Sequence, residues 1–118
     1  MSKTLYVTDL DGTLLNKQDR IHPESIRIIN HLIEQGMAFT YATARSLSSA
    51  SIVTQGLSTN IPVIVYNGAF MINPATREIL SRESFCPEEM RRVTDILSRL
   101  DISPLVYSFV EGAEKAGK

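Results

Sequence analysis

An α/β fold built on a parallel sheet is what this sequence predicts, on three observations. Three short runs, 4–9 (TLYVTD), 37–43 (MAFTYAT) and 62–67 (PVIVYN), are apolar, β-branched and aromatic with little polar alternation. Such runs read as strands buried on both faces. A stretch read as helical separates each run from the next, giving the order strand, helix, strand, helix, strand. Right-handed crossovers between such strands produce a parallel sheet with helices on both faces.

Each element has a local cause. The run at 4–9 ends in acids and Gly12, where a strand must turn. After the polar stretch NKQDRIHPE, Pro23 stands at a first helical position with Glu24 behind it, favourable near the positive end of a helix. Ile26, Ile29 and Ile33, with Ile28 and Leu32, recur at spacings of three and four, which predicts one buried helical stripe. Gly36 follows as the terminating residue, and His22 is expected beside the N-cap. RSLSSASIVTQGL, 45–57, is the second helical segment, weakened by its serines and closed near Gly56.

After Asn67 the pattern changes. Two short runs, 69–72 and 78–80, flank the turn signal Asn73-Pro74 and predict a β-hairpin. A third helix is expected from Pro87, with Met90, Val93, Leu97 and Leu100 as its apolar stripe and the charges of EEMRR facing solvent. PLVYSFV, 104–110, reads as a fourth strand beside the hairpin rather than in the parallel sheet, and the polar tail EGAEKAGK as frayed.

Composition narrows the function classes. The chain has 118 residues, 43% hydrophobic and 21% charged, with a formal net charge of -1. That suits one ordinary domain and gives no electrostatic footprint for nucleic acid or an anionic membrane. No signal-peptide pattern opens the chain and no run approaches a membrane span. The lone Cys86 allows neither an internal disulfide nor a cysteine metal cluster, and a reducing compartment, most simply the cytoplasm, is expected.

The chemistry is expected where the strands end, because open parallel sheets bind ligands beyond the carboxyl ends of their strands. The first end delivers Asp9 and Asp11, the second Thr43 and Arg45, the third Asn67 and Gly68. A carboxylate can attack phosphorus, and a divalent cation offsets the repulsion between the two. A second acid can protonate the leaving alcohol and later take a proton from water. Turning out of the strand through Gly12 offsets the second acid from the first and presents backbone N–H groups to phosphate oxygens. Thr43 can donate a hydrogen bond to a phosphoryl group, and Arg45 can fork onto one.

At these residues a family resemblance appears. DLDGTLL (9–15) resembles the first signature of the haloacid dehalogenase superfamily, YATAR (41–45) its second, and YNGAF (66–70) the Asn-Gly-Ala segment of its Cof-type subgroup of α/β-capped phosphatases. The resemblance covers roughly residues 4–110. It implies Asp9 as nucleophile and Mg²⁺ ligand, and Asp11 as general acid/base with its backbone carbonyl also on the metal. It implies Gly12, Thr43, Arg45 and Asn67 as phosphate and substrate contacts. It further implies a Rossmann-like core whose first half is residues 1–82, and an α+β cap beginning over 83–118, with a small phosphorylated metabolite, such as a sugar phosphate, as substrate. Two later signatures of the family, a lysine and an acidic Gly-Asp-x-x-x-Asp stretch, do not occur here. A fragment with little or no activity is therefore expected, its run Leu5-Tyr6-Val7 left as an exposed sheet edge that self-associates.

Simpler readings stand beside these. An isolated Asp-x-Asp-Gly caps turns, Thr43 can be a plain strand-end hydroxyl, Arg45 a surface cation, and Asn67-Gly68 a turn that tolerates positive φ. An EF-hand does not fit, because the glycine comes too early and a strand precedes it. A nucleotide-sugar transferase motif would leave YATAR and YNGAF as coincidence. His22, His31 and Cys86 are not assigned to a metal.

Overall fold

The computed structural model describes residues 3–110 and 113–117. The chain divides into two compact units, Met1–Arg82 and Glu83–Lys118.

In the first unit, β1 (Leu5–Thr8) leads through a turn to α1 (Pro23–Glu34), β2 (Ala38–Tyr41), α2 (Leu47–Val53), β3 (Val63–Val65), β4 (Phe70–Ile72) and β5 (Ile79–Arg82). β1 and β2 are parallel, in register from Leu5 opposite Ala38 to Thr8 opposite Tyr41. Beyond β2 the chain reaches β3 through a parallel bridge between Ala42 and Ile64. The Thr40 hydroxyl reinforces it, donating to the Pro62 carbonyl at 2.7 Å, and the Thr43 N–H donates to the Ile64 carbonyl at 3.0 Å. The three strands thus succeed one another in parallel as their apolar runs predict. β3, β4 and β5 then form an antiparallel meander with a bulge at Met71/Ile72. The Asn73 side chain closes the β4–β5 turn by accepting from the N–H groups of Ala75 and Thr76.

The core gathers around this sheet. Leu10, Val63, Val65 and Ile72 are fully buried, and Ala50, Leu47, Val53, Leu15, Ile21 and Tyr41 close around them. Each fully sequestered aliphatic side chain contributes about 1.5–3 kcal/mol. Helix caps fix the connections. His22 itself caps α1, its Nδ1 accepting from the Glu24 N–H, and Ser46 caps α2 by accepting from the Ser49 N–H. Asn30 ties α1 to the loop after α2, donating to the Gly56 carbonyl and accepting from the Ser58 N–H, both at 2.8 Å.

The expected buried stripe of α1 is only half covered. Ile26, Ile29 and Ile33 are partly buried, while Ile28 and Leu32 are exposed. The pattern encodes a wider apolar face than the elements of this unit can cover. The same is true of β1: its sequence is that of a strand buried on both faces, yet Leu5, Tyr6 and Val7 are 58%, 52% and 49% exposed, because among the described residues β1 pairs with β2 alone.

In the second unit α3 (Pro87–Arg99) is capped at Cys86, whose N–H donates to Glu89. Its stripe residues Met90, Val93 and Leu100 are exposed and Leu97 is half-buried. β6 (Val106–Val110) pairs antiparallel with β7 (Ala113–Gly117). Two expectations are corrected here. Among the described residues the fourth strand pairs with β7 in a sheet of its own rather than with the hairpin at 70–82, and the tail over 113–117 is a strand rather than frayed. A hairpin between neighbours in sequence needs only main-chain hydrogen bonds and a short, low-entropy closure, so a polar composition does not prevent it. Residues 111, 112 and 118 of that tail lie outside the described residues.

Candidate active site

The site grows from the ends of β1, β2 and β3. Asp9 follows the last residue of β1 in extended conformation and caps the turn after it, its Oδ1 accepting from the Leu10 N–H at 2.8 Å. The turn spans Leu10–Leu14 and closes with the Leu15 N–H on the Leu10 carbonyl at 2.9 Å. Leu10 is wholly buried and anchors it. Gly12 has φ +77°, a left-handed conformation costly for any residue with a Cβ, and this is the offset between Asp9 and Asp11 that the sequence predicts.

Main-chain bonds lace the ends of β2 and β3 together. The Asn67 N–H donates to the Thr43 carbonyl and the Tyr66 N–H to the Arg45 carbonyl, each at 2.9 Å. Tyr66, Asn67 and Gly68 all take positive φ, so the turn predicted at Asn67-Gly68 begins one residue earlier. Tyr66 stays in place with its ring edge-on to Phe70, centroids 5.2 Å apart. The result is a cleft of about 420 Å³ walled by Asp9, Ala42, Thr43, Ala44, Ile64, Asn67 and Gly68. Thr43 is 4% exposed, and its hydroxyl accepts from the Arg45 N–H at 3.1 Å, which leaves its own proton to donate. Asp9, Thr43 and Asn67 are thus brought to one cleft.

Asp11, Gly12 and Arg45 are not among its walls. Arg45 grips Asp11 with a two-pronged ion pair, Nε to Oδ2 at 2.8 Å and Nη2 to Oδ1 at 2.7 Å. Nη1 donates to the Ser49 hydroxyl at 2.7 Å, and Nη2 lies 3.7 Å from Asp19 Oδ1. The guanidinium is 21% exposed and the Asp11 carboxylate 53%. Hydrogen bonds from Arg45, aided by its charge, hold Asp11 below the ordinary carboxyl value, and Asp11 in turn raises Arg45. Ser49 and Asp19 were not predicted. Ser49 had a readable signal, four residues after an arginine at the start of a helix; Asp19 had none, because the fold of its loop brings it near Arg45.

Hard oxygen donors suit Mg²⁺, and by the family resemblance Asp9 and the backbone carbonyl of Asp11 are the groups that would supply them. The number of donors is small: both side-chain oxygens of Asp11 are engaged with Arg45, and among the described residues no group of three or more acids, histidines or cysteines could hold a metal.

Comparison with known proteins points the same way. The family model for haloacid dehalogenase-like hydrolases matches residues 6–114. A Mycoplasma pneumoniae relative is 32% identical over 113 residues, which is 94% of this chain and 40% of that protein. The 5-amino-6-(5-phospho-D-ribitylamino)uracil phosphatase YwtE of Bacillus subtilis is 31% identical over 100 residues, covering 85% of this chain and 34% of its own. Among solved structures, a phosphatase of the haloalkanoate superfamily from Bacteroides thetaiotaomicron superposes with a TM-score of 0.76 at 18% identity, over 98% of this chain and 42% of that one. A Thermotoga maritima protein gives 0.71 at 24% identity, over 98% and 42%. The chain therefore spans well under half the length of these relatives. With its signature residues at the strand ends, a matching fold and a family model over nearly its whole length, this chain belongs to the haloacid dehalogenase-like hydrolases.

Proposed function

We propose that this chain carries the nucleophile half of a Mg²⁺-dependent phosphomonoesterase that works through an aspartyl-phosphate on a small phosphorylated metabolite. One observation carries the reading: Asp9 and the hydroxyl-bearing Thr43 wall the same cleft, beside Asn67. With Asp11 released from Arg45 and carrying a proton, the Asp9 carboxylate attacks phosphorus; the ester P–O bond breaks, and the leaving alcohol takes that proton from Asp11. Asp11 then removes a proton from water, whose oxygen displaces phosphate from Asp9 and regenerates the carboxylate. Thr43 donates to a phosphoryl oxygen, and Asn67 and the backbone at Gly12 orient the group. Arg45 reaches phosphate by exchanging it for Asp11. Asp9 and the Asp11 carbonyl would hold Mg²⁺, which would offset the charge repulsion between carboxylate and phosphate.

Relatives support the substrate class. Beyond YwtE, they include a glucosyl-3-phosphoglycerate/mannosyl-3-phosphoglycerate phosphatase from Persephonella marina and an HMP-PP phosphatase from Serratia proteamaculans. We place the protein in the cytoplasm, since its lone Cys86 suits a reducing compartment. We assign residues 1–82 to the catalytic core and 83–118 to the start of a cap.

The 118-residue chain by itself is expected to show little or no turnover, since the site lacks the lysine and further acids that the family resemblance implies. A p-nitrophenyl phosphate assay with and without Mg²⁺ tests this: a Mg²⁺-dependent rate abolished by Asp9→Asn would overturn the inactivity while supporting the nucleophile. Should adding the missing portion of the M. pneumoniae relative, or of another, never yield an Asp9-dependent rate, the phosphatase reading loses its support. The second reading is a non-catalytic, self-associating module, favoured by the exposed Leu5, Tyr6 and Val7.

A further inference from the structure

The proposed reaction needs Asp11 to leave Arg45, and a guanidinium sheltered at 21% exposure must then find another partner. Arginine carries five N–H donors. Here Nε and Nη2 each donate to Asp11, and Nη1 donates to the Ser49 hydroxyl at 2.7 Å. Departure of Asp11 strips the first two bonds and leaves an uncharged hydroxyl as acceptor. A sheltered cation that loses its counter-charge is costly.

Asp19 is placed to supply that counter-charge. Its Oδ1 lies 3.7 Å from Nη2, about 1 Å beyond hydrogen-bond length. Among the described residues the cation paired with the Asp19 carboxylate is Arg45, while the adjacent Arg20 donates to the Asp19 main-chain carbonyl instead. The backbone that carries Asp19 is fastened. The Asn16 side chain accepts from the N–H groups of Gln18 and Arg20, at 2.9 and 3.1 Å. The Asp19 N–H donates to the Asn16 carbonyl at 3.1 Å, and the Asn16 N–H to the Arg20 carbonyl at 2.9 Å. Asp19 takes φ +57°, a left-handed conformation that Asp adopts more readily than most residues. A carboxylate on so closed a turn keeps its place when Arg45 changes partner.

We propose that Asp19 is a positioning residue, the second seat of Arg45: once Asp11 leaves the fork, the guanidinium pivots on Ser49 and pairs with Asp19. Seated through Nη1 and Nη2, it keeps Nε free to donate to a phosphate oxygen. Asp19 touches no reacting atom and acts through Arg45. The inference deepens the phosphatase reading and rests on it for the departure of Asp11.

Two double-mutant cycles on the 118-residue chain test the second seat. Each combines Arg45→Ala with Asp19→Asn, the first with Asp11 present and the second on Asp11→Ala. Asn is tolerated at positive φ, so Asp19→Asn removes the charge and keeps the turn. With Asp11 present, the two residues should be coupled by less than about 1.5-fold in the unfolding equilibrium constant. On Asp11→Ala the coupling should rise to about threefold. A merely structural role for Asp19 gives the same coupling in both backgrounds; that result, or no coupling on Asp11→Ala, overturns the proposal. Should Asp11→Ala not fold, Asp11→Asn replaces it and the Arg45 Nε–H resonance is followed by NMR. The resonance should persist in Asp11→Asn and in Asp11→Asn/Asp19→Glu, and be lost to solvent exchange in Asp11→Asn/Asp19→Asn. Persistence in the last variant, or loss in the first, overturns the second seat. None of these readouts involves turnover, whereas the phosphatase reading fails on the absence of an Asp9-dependent rate, so the two failures are told apart.

Discussion

The Arg45–Asp11 pair permits a quantitative test of how the rim is held together. Alanine at each position and at both completes a double-mutant cycle, which cancels the loss of the Arg45–Ser49 bond common to the Arg45 variants. At a separation near 4 Å the Coulomb energy of two unit charges runs from about 1 kcal/mol in water to about 4 kcal/mol at an effective dielectric of 20. Exposed pairs measured in such cycles retain about 0.2–1 kcal/mol. Here the guanidinium is sheltered at 21% exposure and the contact is two-pronged, but the carboxylate is 53% exposed. That places the coupling near the upper end, about 1 kcal/mol at neutral pH. The sign with pH follows from the depressed Asp11: its ordinary value is 3.8 and the folded value lies lower. The stabilisation is whole above 3.8 and disappears as pH falls through the folded value. Urea titrations of the four proteins, at neutral pH and in acid, measure it. Coupling indistinguishable from zero at neutral pH, or undiminished once Asp11 is protonated, would refute the reasoning. The more exposed Arg27–Glu24 pair on α1 is the control and should couple less.

Three further outcomes are expected. Gly12→Ala meets no atom within 4 Å of the added Cβ, so its cost is that of a left-handed backbone, about 1 kcal/mol in urea unfolding. Leu10→Ala opens a cavity beneath the Asp9–Leu15 turn and should destabilise by about 3 kcal/mol, read in the same titration. Burial raises the Tyr41 phenol above its ordinary 10.0, so stability should fall as pH rises from 10.0 through the folded value, and Tyr41→Phe should remove that fall.

Much of the site was legible because its chemistry is tied to strand ends. A strand ending in Asp9, a second ending at Thr43 and a third at Asn67 converge once the strands are parallel, and parallel order follows from the alternation of apolar runs with helices. Gly12 was legible for a stereochemical reason, since the turn needs positive φ there. The role of Arg45 was not. From sequence its fork is equally suited to phosphate or to a carboxylate, and only the fold shows it on Asp11, steadied by Ser49 and approached by Asp19. The strand at 113–117 was missed because main-chain pairing leaves no mark on side-chain composition.

By itself, the sequence determined which segments between residues 4 and 110 become strands and helices, where the chain turns between them, and which residue types stand at the rim, because these depend on local backbone preference and apolar periodicity. Tertiary structure decided which groups touch: that Thr43 is buried against the end of β3 while Arg45 turns to Asp11. It also decided which apolar residues of β1 and α1 are covered, because coverage depends on neighbours distant in the chain, which no local pattern specifies.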